Sequence, residues 1–536
     1  MRYLALVLTL MMTMAGWAQV RSSNKDFKTE FRTSDRCVAC HNGLKTKSGE
    51  DISIGFDWRA SIMANSSRDP YWQGSVRRES IDHPGSQATI ENECSTCHMP
   101  LTHFTARSEG RQAQIFSHLP LTPLLGKEGP AADGVSCSVC HQVEKTNFGT
   151  PESYNGNLSF ASLEDKENRP EYGPFVIDPG HRRVMQSSTG GIIPENGEHI
   201  RDSAMCGTCH TLKTKALSPD GKDIGSLPEQ MPYPEWLHSD YPKRKSCQQC
   251  HMPEVNEPVA ITAVYGPLRT GMHRHLFLGG NFLMEQILND YRGDLQVMAQ
   301  PQELMAASAQ TIEFLKSQSA RVMLQSAEQN SGKLSFEVKV ENLTGHKLPT
   351  AYPSRRAWLH VVVQDRNGRV VFESGALNAD GSIVGNHNDA DPRRYEPHYR
   401  EITNAQQVEI FEPILSDSHG NVTTGLLSAV GYLKDNRLLP SGFDKRTAER
   451  DIAVVGDALD DPGFTDKGSA IRYVVETGGA AGPFHARAEL WYQPIGFRWA
   501  HNLEPYNAAE PQRFVRYYES EAQRSALVLA SADASY

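Results

Sequence analysis

Cys-x-x-Cys-His occurs five times between Cys37 and His251, and no cysteine of the chain lies outside it. The motifs are Cys37-Val-Ala-Cys40-His41, Cys94-Ser-Thr-Cys97-His98, Cys137-Ser-Val-Cys140-His141, Cys206-Gly-Thr-Cys209-His210 and Cys247-Gln-Gln-Cys250-His251. Two thiols three positions apart reach the two vinyl groups of one haem as thioethers, and the adjoining imidazole then lies beneath the iron as an axial ligand. The five motifs therefore read as five covalently held c-type haems (heme c). Other uses of cysteine fit less well. Disulfides give no reason for a histidine after every second cysteine. A four-cysteine zinc site consumes two pairs, so five pairs would leave one stranded.

Composition agrees with this reading. Hydrophobic residues make up 39% of the 536, below the usual ~45–50%, and five macrocycles would supply the missing apolar surface. The formal net charge of -10 argues against nucleic acid as a partner. At the N-terminus, Arg2 precedes an apolar run from Tyr3 to Met14, with small residues at Gly16 and Ala18. This pattern predicts a signal peptide over residues 1–18 and a periplasmic or secreted protein. The run is too short to favour a retained membrane span.

The remaining chain divides by pattern into an α+β protein. Residues 19–297 form the motif-bearing region, mainly short helices and irregular loops, with no fixed period between motifs. Residues from Asp57 to Trp72 read as a helix ended by Asp69-Pro70, and residues 298–318 as a helical connector with Leu304, Ala307, Ile312 and Leu315 in a helical repeat. Residues 319–500 turn to strands. Leu334–Val340 alternates with period two, and Trp358–Val363 and Arg369–Phe372 flank Asn367-Gly368, a hairpin signal. Further strands are expected at Gln407–Phe411, Ile471–Glu476 and Arg487–Pro494, giving an all-β, sandwich-like domain. Residues 501–536 are expected to hold a C-terminal helix over Pro511–Ala530. Lys434-Asp-Asn-Arg437-Leu-Leu-Pro440-Ser-Gly442-Phe443 reads either as a binding loop or as an ordinary polar connection.

With the motifs stand four further phrases: Trp58-Arg-Ala-Ser-Ile-Met63-Ala-Asn with Arg68-Asp-Pro-Tyr-Trp72, Asp133-Gly-Val-Ser ahead of Cys137, His273-Arg-His275-Leu-Phe-Leu-Gly-Gly-Asn281, and Leu343-Thr-Gly-His346-Lys-Leu-Pro349. On these the chain resembles the multihaem c-type cytochromes, in the form of a pentahaem cytochrome c with a C-terminal β-domain. The resemblance implies an electron carrier outside the cytoplasm with redox partner proteins. It names neither donor nor acceptor.

The sixth ligand separates carrier from enzyme. Iron held on both faces by protein passes electrons, whereas an open face can bind and convert a small molecule. The chain has 20 histidines, five of them in the motifs. Candidate second ligands are His181, His273 or His275, His346 and His118, with His103 and His199 behind them. If His346 is a ligand, the β-domain must touch the haem cluster. Met63 stands where related multihaem sequences often carry a histidine in a Ser-x-His-Ala phrase, and reads either as a thioether ligand or as a packed core side chain.

Two functions follow: electron transfer through five haems, or an oxidoreductase acting on a small nitrogen or sulfur compound at one open haem. Pentahaem nitrite reductases place lysine where one motif histidine would be, and all five motifs here end in histidine, which weakens the second reading. A homo-oligomer aligning haems between copies is a further expectation.

Overall fold

Gly and Pro between the motifs keep the helices of the first half short. The structure, a computed structural model, describes residues 31–122, 129–161, 169–189 and 191–536. The expected signal peptide lies outside them. Among the described residues no helix is long and apolar enough to cross a membrane.

The motif cysteines sit on the helices Asp35–Val38, Gln87–His98, Cys137–His141, Ser203–Gly207 and Cys247–His251, or in the turns that close them. Most are one turn long and need caps, because so short a helix leaves its first N–H groups unpaired. Asp202 accepts from Ala204 N. Ser246 and Gln249 form a reciprocal capping box. Pro100 and Pro253 follow two motifs at His-Met-Pro. Pro100 also opens the next helix, Pro100–Ser108.

One helical expectation is reversed. Asp57–Trp72 is not one helix ended at Asp69-Pro70: a helix spans Ile54–Arg59, a 3-10 turn Ser66–Arg68, and Asp69-Pro70 starts the helix Pro70–Asp82. The Asp69 carboxylate accepts from Tyr71 N and Trp72 N at 2.8 and 3.1 Å. Proline at the first helical position costs no hydrogen bond, since that N–H is free in any case.

The second half is a β-sandwich, as its alternation predicts. Lys333–Asn342 pairs antiparallel with Ala320–Asn330 on one side and Gly468–Glu476 on the other. A second sheet is centred on Arg356–Gln364 and His485–Gln493, which also pair antiparallel, with Val370–Ser374 on Arg356–Gln364. The inner faces meet through Phe372–Tyr473 at 6.1 Å and Phe336–Tyr536 at 5.8 Å between ring centroids. Gln407–Phe411 is paired only at Ile410–Phe411.

The helix Pro301–Gln318 occupies the predicted connector. Leu304, Ala307 and Leu315 join a core continuous with the sandwich and with Phe282–Leu288 of the helix Phe282–Asp290. The C-terminal expectation needs correction. The helix ends at Glu521, and Leu527–Ser535 is a strand that pairs with His485–Gln493. The helix Ala509–Glu521 does fold back onto Pro70–Asp82, where Arg77 pairs with Glu510 at 2.9 Å and Tyr71 packs on Phe514.

Lys434-Asp-Asn-Arg437 is neither a binding loop nor an ordinary polar connection. Its four residues are 0–5% exposed and every side chain is engaged. Lys434 bonds Ile410 O, Asn436 bonds Glu409, and Asp435 and Arg437 pair with each other.

Candidate haem-binding cavity

All ten motif cysteines and all five motif histidines line one continuous cavity of about 2410 Å³. That is more than twice the ~300–1,000 Å³ typical of a site for one drug-sized ligand. The cysteines are free thiols. Across motifs, Cys137 lies within hydrogen-bond reach of Cys37, Cys97 of Cys209, and Cys206 of Cys247. Cys140 also interacts electrostatically with Cys209. The first motif thus neighbours the third, and the fourth neighbours the second, third and fifth.

Four motif imidazoles are oriented through Nδ1 by a backbone carbonyl: His41 by Ile261 O (2.6 Å), His98 by Ser66 O (3.1 Å), His141 by Tyr172 O (2.7 Å) and His251 by Leu278 O. A carbonyl can only accept, so Nδ1 carries the hydrogen and Nε2 keeps a lone pair for a metal. Trp72 lies parallel to His98, with centroids 4.5 Å apart and planes 3° apart. Burial pushes His98 and His210 down to about 4 and lowers His41 and His251. Neutral imidazole is the form a metal requires.

Two non-motif histidines face motif histidines. His275 and His141 have centroids 6.2 Å apart with planes 20° from parallel, and His346 and His251 are at 6.3 Å and 13°. With imidazole–metal bonds of about 2 Å, two rings sharing one iron have centroids roughly 6 Å apart. His275 Nδ1 bonds His273 O at 3.1 Å and His346 Nδ1 bonds Lys347 O at 2.9 Å, so each keeps a free Nε2. Burial pushes these two down to about 3 and about 4.

The other expected ligands divide. His273 lines the cavity with Nδ1 on Met252 O at 2.5 Å. His273 and His275 thus both reach the cavity, because their segment is extended and not helical. His181, in the first turn of the helix Pro179–Thr189, also lines it, but its ring nitrogens are engaged by Asp178 and Tyr265 O. The stripe His181, Val184, Met185 and Ser188 faces the cavity, although the helix has no buried residue. Met63 lines the cavity. His118, in the turn Phe116–His118, is not among the lining residues. Nor are His103, held by Asn92 O, and His199, held by Val143 O.

Some lining residues were not singled out from sequence. The β-domain loop from Leu343 to Arg355 enters the cavity and brings Tyr352 and Arg355 with His346. Arg269 also lines it, and its buried Nε has no hydrogen-bond partner among the described residues. These guanidinium groups suit the carboxylates of haem propionates. No signal other than nearness to His346 or to the His273-Arg-His275 phrase marks them. Taken together, the paired thiols, the neutral imidazoles with free Nε2 atoms and the size of the cavity fit covalently attached haem.

This mixed α+β arrangement is shared with a solved multihaem cytochrome. The chain is similar to the crystal structure of a penta-heme cytochrome c552 from Thermochromatium tepidum, with a TM-score of 0.51 and 15% sequence identity, covering 94% of this chain and 99% of that one. No family model matches the sequence, and no curated protein matches it.

Proposed function

We propose that the protein transfers electrons through five covalently bound c-type haems. The observation that carries this reading is the convergence of five Cys-x-x-Cys-His turns on one cavity, with imidazole pairs at 6.2 and 6.3 Å. Bound haem supplies one-electron iron chemistry at each site. The chain supplies the rest. The ten cysteines anchor. His41, His98, His141, His210 and His251 ligate from one side, and His275 and His346 close the third and fifth sites from the other. The cross-motif thiol contacts order the route: site one beside site three, with sites two, three and five meeting at site four. Residues 19–297 carry this relay, in the periplasm or outside the cell, and exchange electrons with redox partner proteins.

A second reading has its own support. Among the described residues the cavity presents four histidines beyond the motifs, His181, His273, His275 and His346, for five sites. A site without a second histidine would take a ligand such as Met63 or keep an open face, where a small nitrogen or sulfur compound would bind.

Intact mass of protein matured in a host that attaches haem tests both readings, and five added groups are expected. The mass of the bare processed polypeptide would overturn both. Electron paramagnetic resonance of the oxidised protein then separates them. Low-spin signals alone support the carrier, and a high-spin signal that responds to nitrite, hydroxylamine or sulfite overturns it in favour of the enzyme.

A further inference from the structure

We propose that Glu235, Lys347, Asp435 and Arg437 form a latch that positions His346 opposite His251. The inference rests on the reading of His346 as an axial ligand. Glu235 belongs to the helix Pro232–Leu237 in the motif-bearing half, and the other three residues to the β-domain. The four side chains are 0–6% exposed and formally neutral in sum. Lys347 Nζ lies 2.7 Å from Asp435 Oδ2 and donates to Ala453 O at 3.1 Å. Arg437 holds Asp435 through two parallel bonds at 2.9 and 2.8 Å, and its Nη1 lies 3.0 Å from Glu235 Oε1.

These contacts converge on one residue. The Lys347 N–H donates to Glu235 Oε2 at 3.1 Å, the Lys347 side chain is held by Asp435, and the Lys347 carbonyl accepts from His346 Nδ1 at 2.9 Å. Thr350 donates to the same Glu235 oxygen at 2.5 Å. The preceding carbonyl, that of His346, is fixed by Asn342 Nδ2 at 2.7 Å and Thr344 Oγ1 at 2.8 Å. A residue tied at its amide, its side chain and its carbonyl has little freedom to turn. The carbonyl that orients the imidazole is thereby set, and Nε2 is aimed into the cavity.

Stability alone does not account for such a cluster. Burying four charges is expensive, and replacing a buried ion network by apolar side chains of similar volume is often neutral or stabilising. The same loop also holds Ala351 at a φ of +69°, a conformation that a non-glycine residue keeps only when its surroundings impose it. The latch joins Glu235 to a β-domain loop and makes the β-domain a working part of the fifth site. It acts through the backbone of a ligand, as hydrogen-bonded neighbours of metal-binding histidines do.

The test uses the full chain with its haems attached. His346→Ala first identifies the fifth site by the low-spin signal it removes. If His346→Ala changes neither spin state nor any midpoint potential, the ligand reading itself fails. Where that control works, Lys347→Met and Glu235→Leu are expected to convert a substantial share of the same one-in-five signal to high spin, and to tighten binding of added imidazole at that site at least tenfold. Glu235→Gln, which keeps an oxygen for the Lys347 N–H, should retain the low-spin signal. If a single variant fails to accumulate, the charge-neutral pair Lys347→Met with Asp435→Leu replaces it and is expected to show the same opening. Five attached haems with unchanged spin state, potential and imidazole affinity in these variants would overturn the latch.

Discussion

His398 offers a stability test away from the cavity that the motifs line. Its Nδ1 lies 2.8 Å from Glu409 Oε1 and its Nε2 2.9 Å from Asp461 Oδ2, with side chains 1%, 0% and 4% exposed. Burial works against the imidazolium, but Glu409 and Asp461 outweigh it and raise His398 above the usual histidine range. Arg400 lies 3.7 Å from Asp461, and Lys445 donates to the Asp461 backbone carbonyl. Replacing His398 by leucine would leave two buried carboxylates without the cation they share. Removing one partner of a buried pair costs about 3–5 kcal/mol, and this is the loss expected near pH 6. The folded state binds the proton more tightly than the unfolded chain. The stabilisation is therefore full below the unfolded value of about 6.5 and fades as pH rises through the raised folded value. Chemical denaturation followed by far-ultraviolet circular dichroism, at pH 6 and pH 9 on both proteins, measures this. The gap between wild type and His398→Leu should narrow at the higher pH. A gap below about 1 kcal/mol at pH 6, or one equal at the two pH values, would refute the reasoning.

Other outcomes follow from the same geometry. Gly134 has a φ of +55°, and a Cβ there would meet the backbone carbonyls of Ala64 and Met63, the latter at 2.8 Å. Gly134→Ala should cost more than about 1 kcal/mol and lower the fraction of protein loaded at Cys137 and Cys140, read by peptide mass mapping. Met63→Ala should lower one midpoint potential if the thioether is a ligand, since methionine ligation raises it; a superimposable redox titration rejects ligation. Removing residues 527–536 strips an edge strand from His485–Gln493, and limited proteolysis should then cut the β-domain faster than in the full chain.

The five motifs are legible in the sequence as one set, because cysteine spacing and an adjacent histidine define them without reference to the rest of the chain, and the structure gathers all five on one cavity. The sandwich strands were legible for the same kind of reason. Lys333–Asn342 alternates buried and partly exposed positions along its length, and period two is a local signal. What needed three dimensions was pairing. Nothing near His275 or His346 in sequence says which motif each faces. Asp69-Pro70 misled because Asp-Pro can stop one helix or cap the next, and the side-chain bonds to Tyr71 N and Trp72 N decide which. The expected helix runs on over Leu527–Ala530 because the exposed positions of this strand blur its alternation, and only the partner strand defines it. Lys434–Arg437 looked like surface because its polar side chains satisfy one another in the interior, and composition cannot register this.

The thiol contacts between motifs have a consequence for maturation. Cys206 hydrogen-bonds to Cys247 and holds its thiol below the usual cysteine value, which favours the nucleophilic thiolate. An oxidant reaching these free thiols would join Cys206 to Cys247, and Cys37–Cys137 and Cys97–Cys209 lie within the same reach. Each such bond would spoil two attachment points at once. A chain that folds before its thiols are capped would therefore need a reductant to keep all ten available.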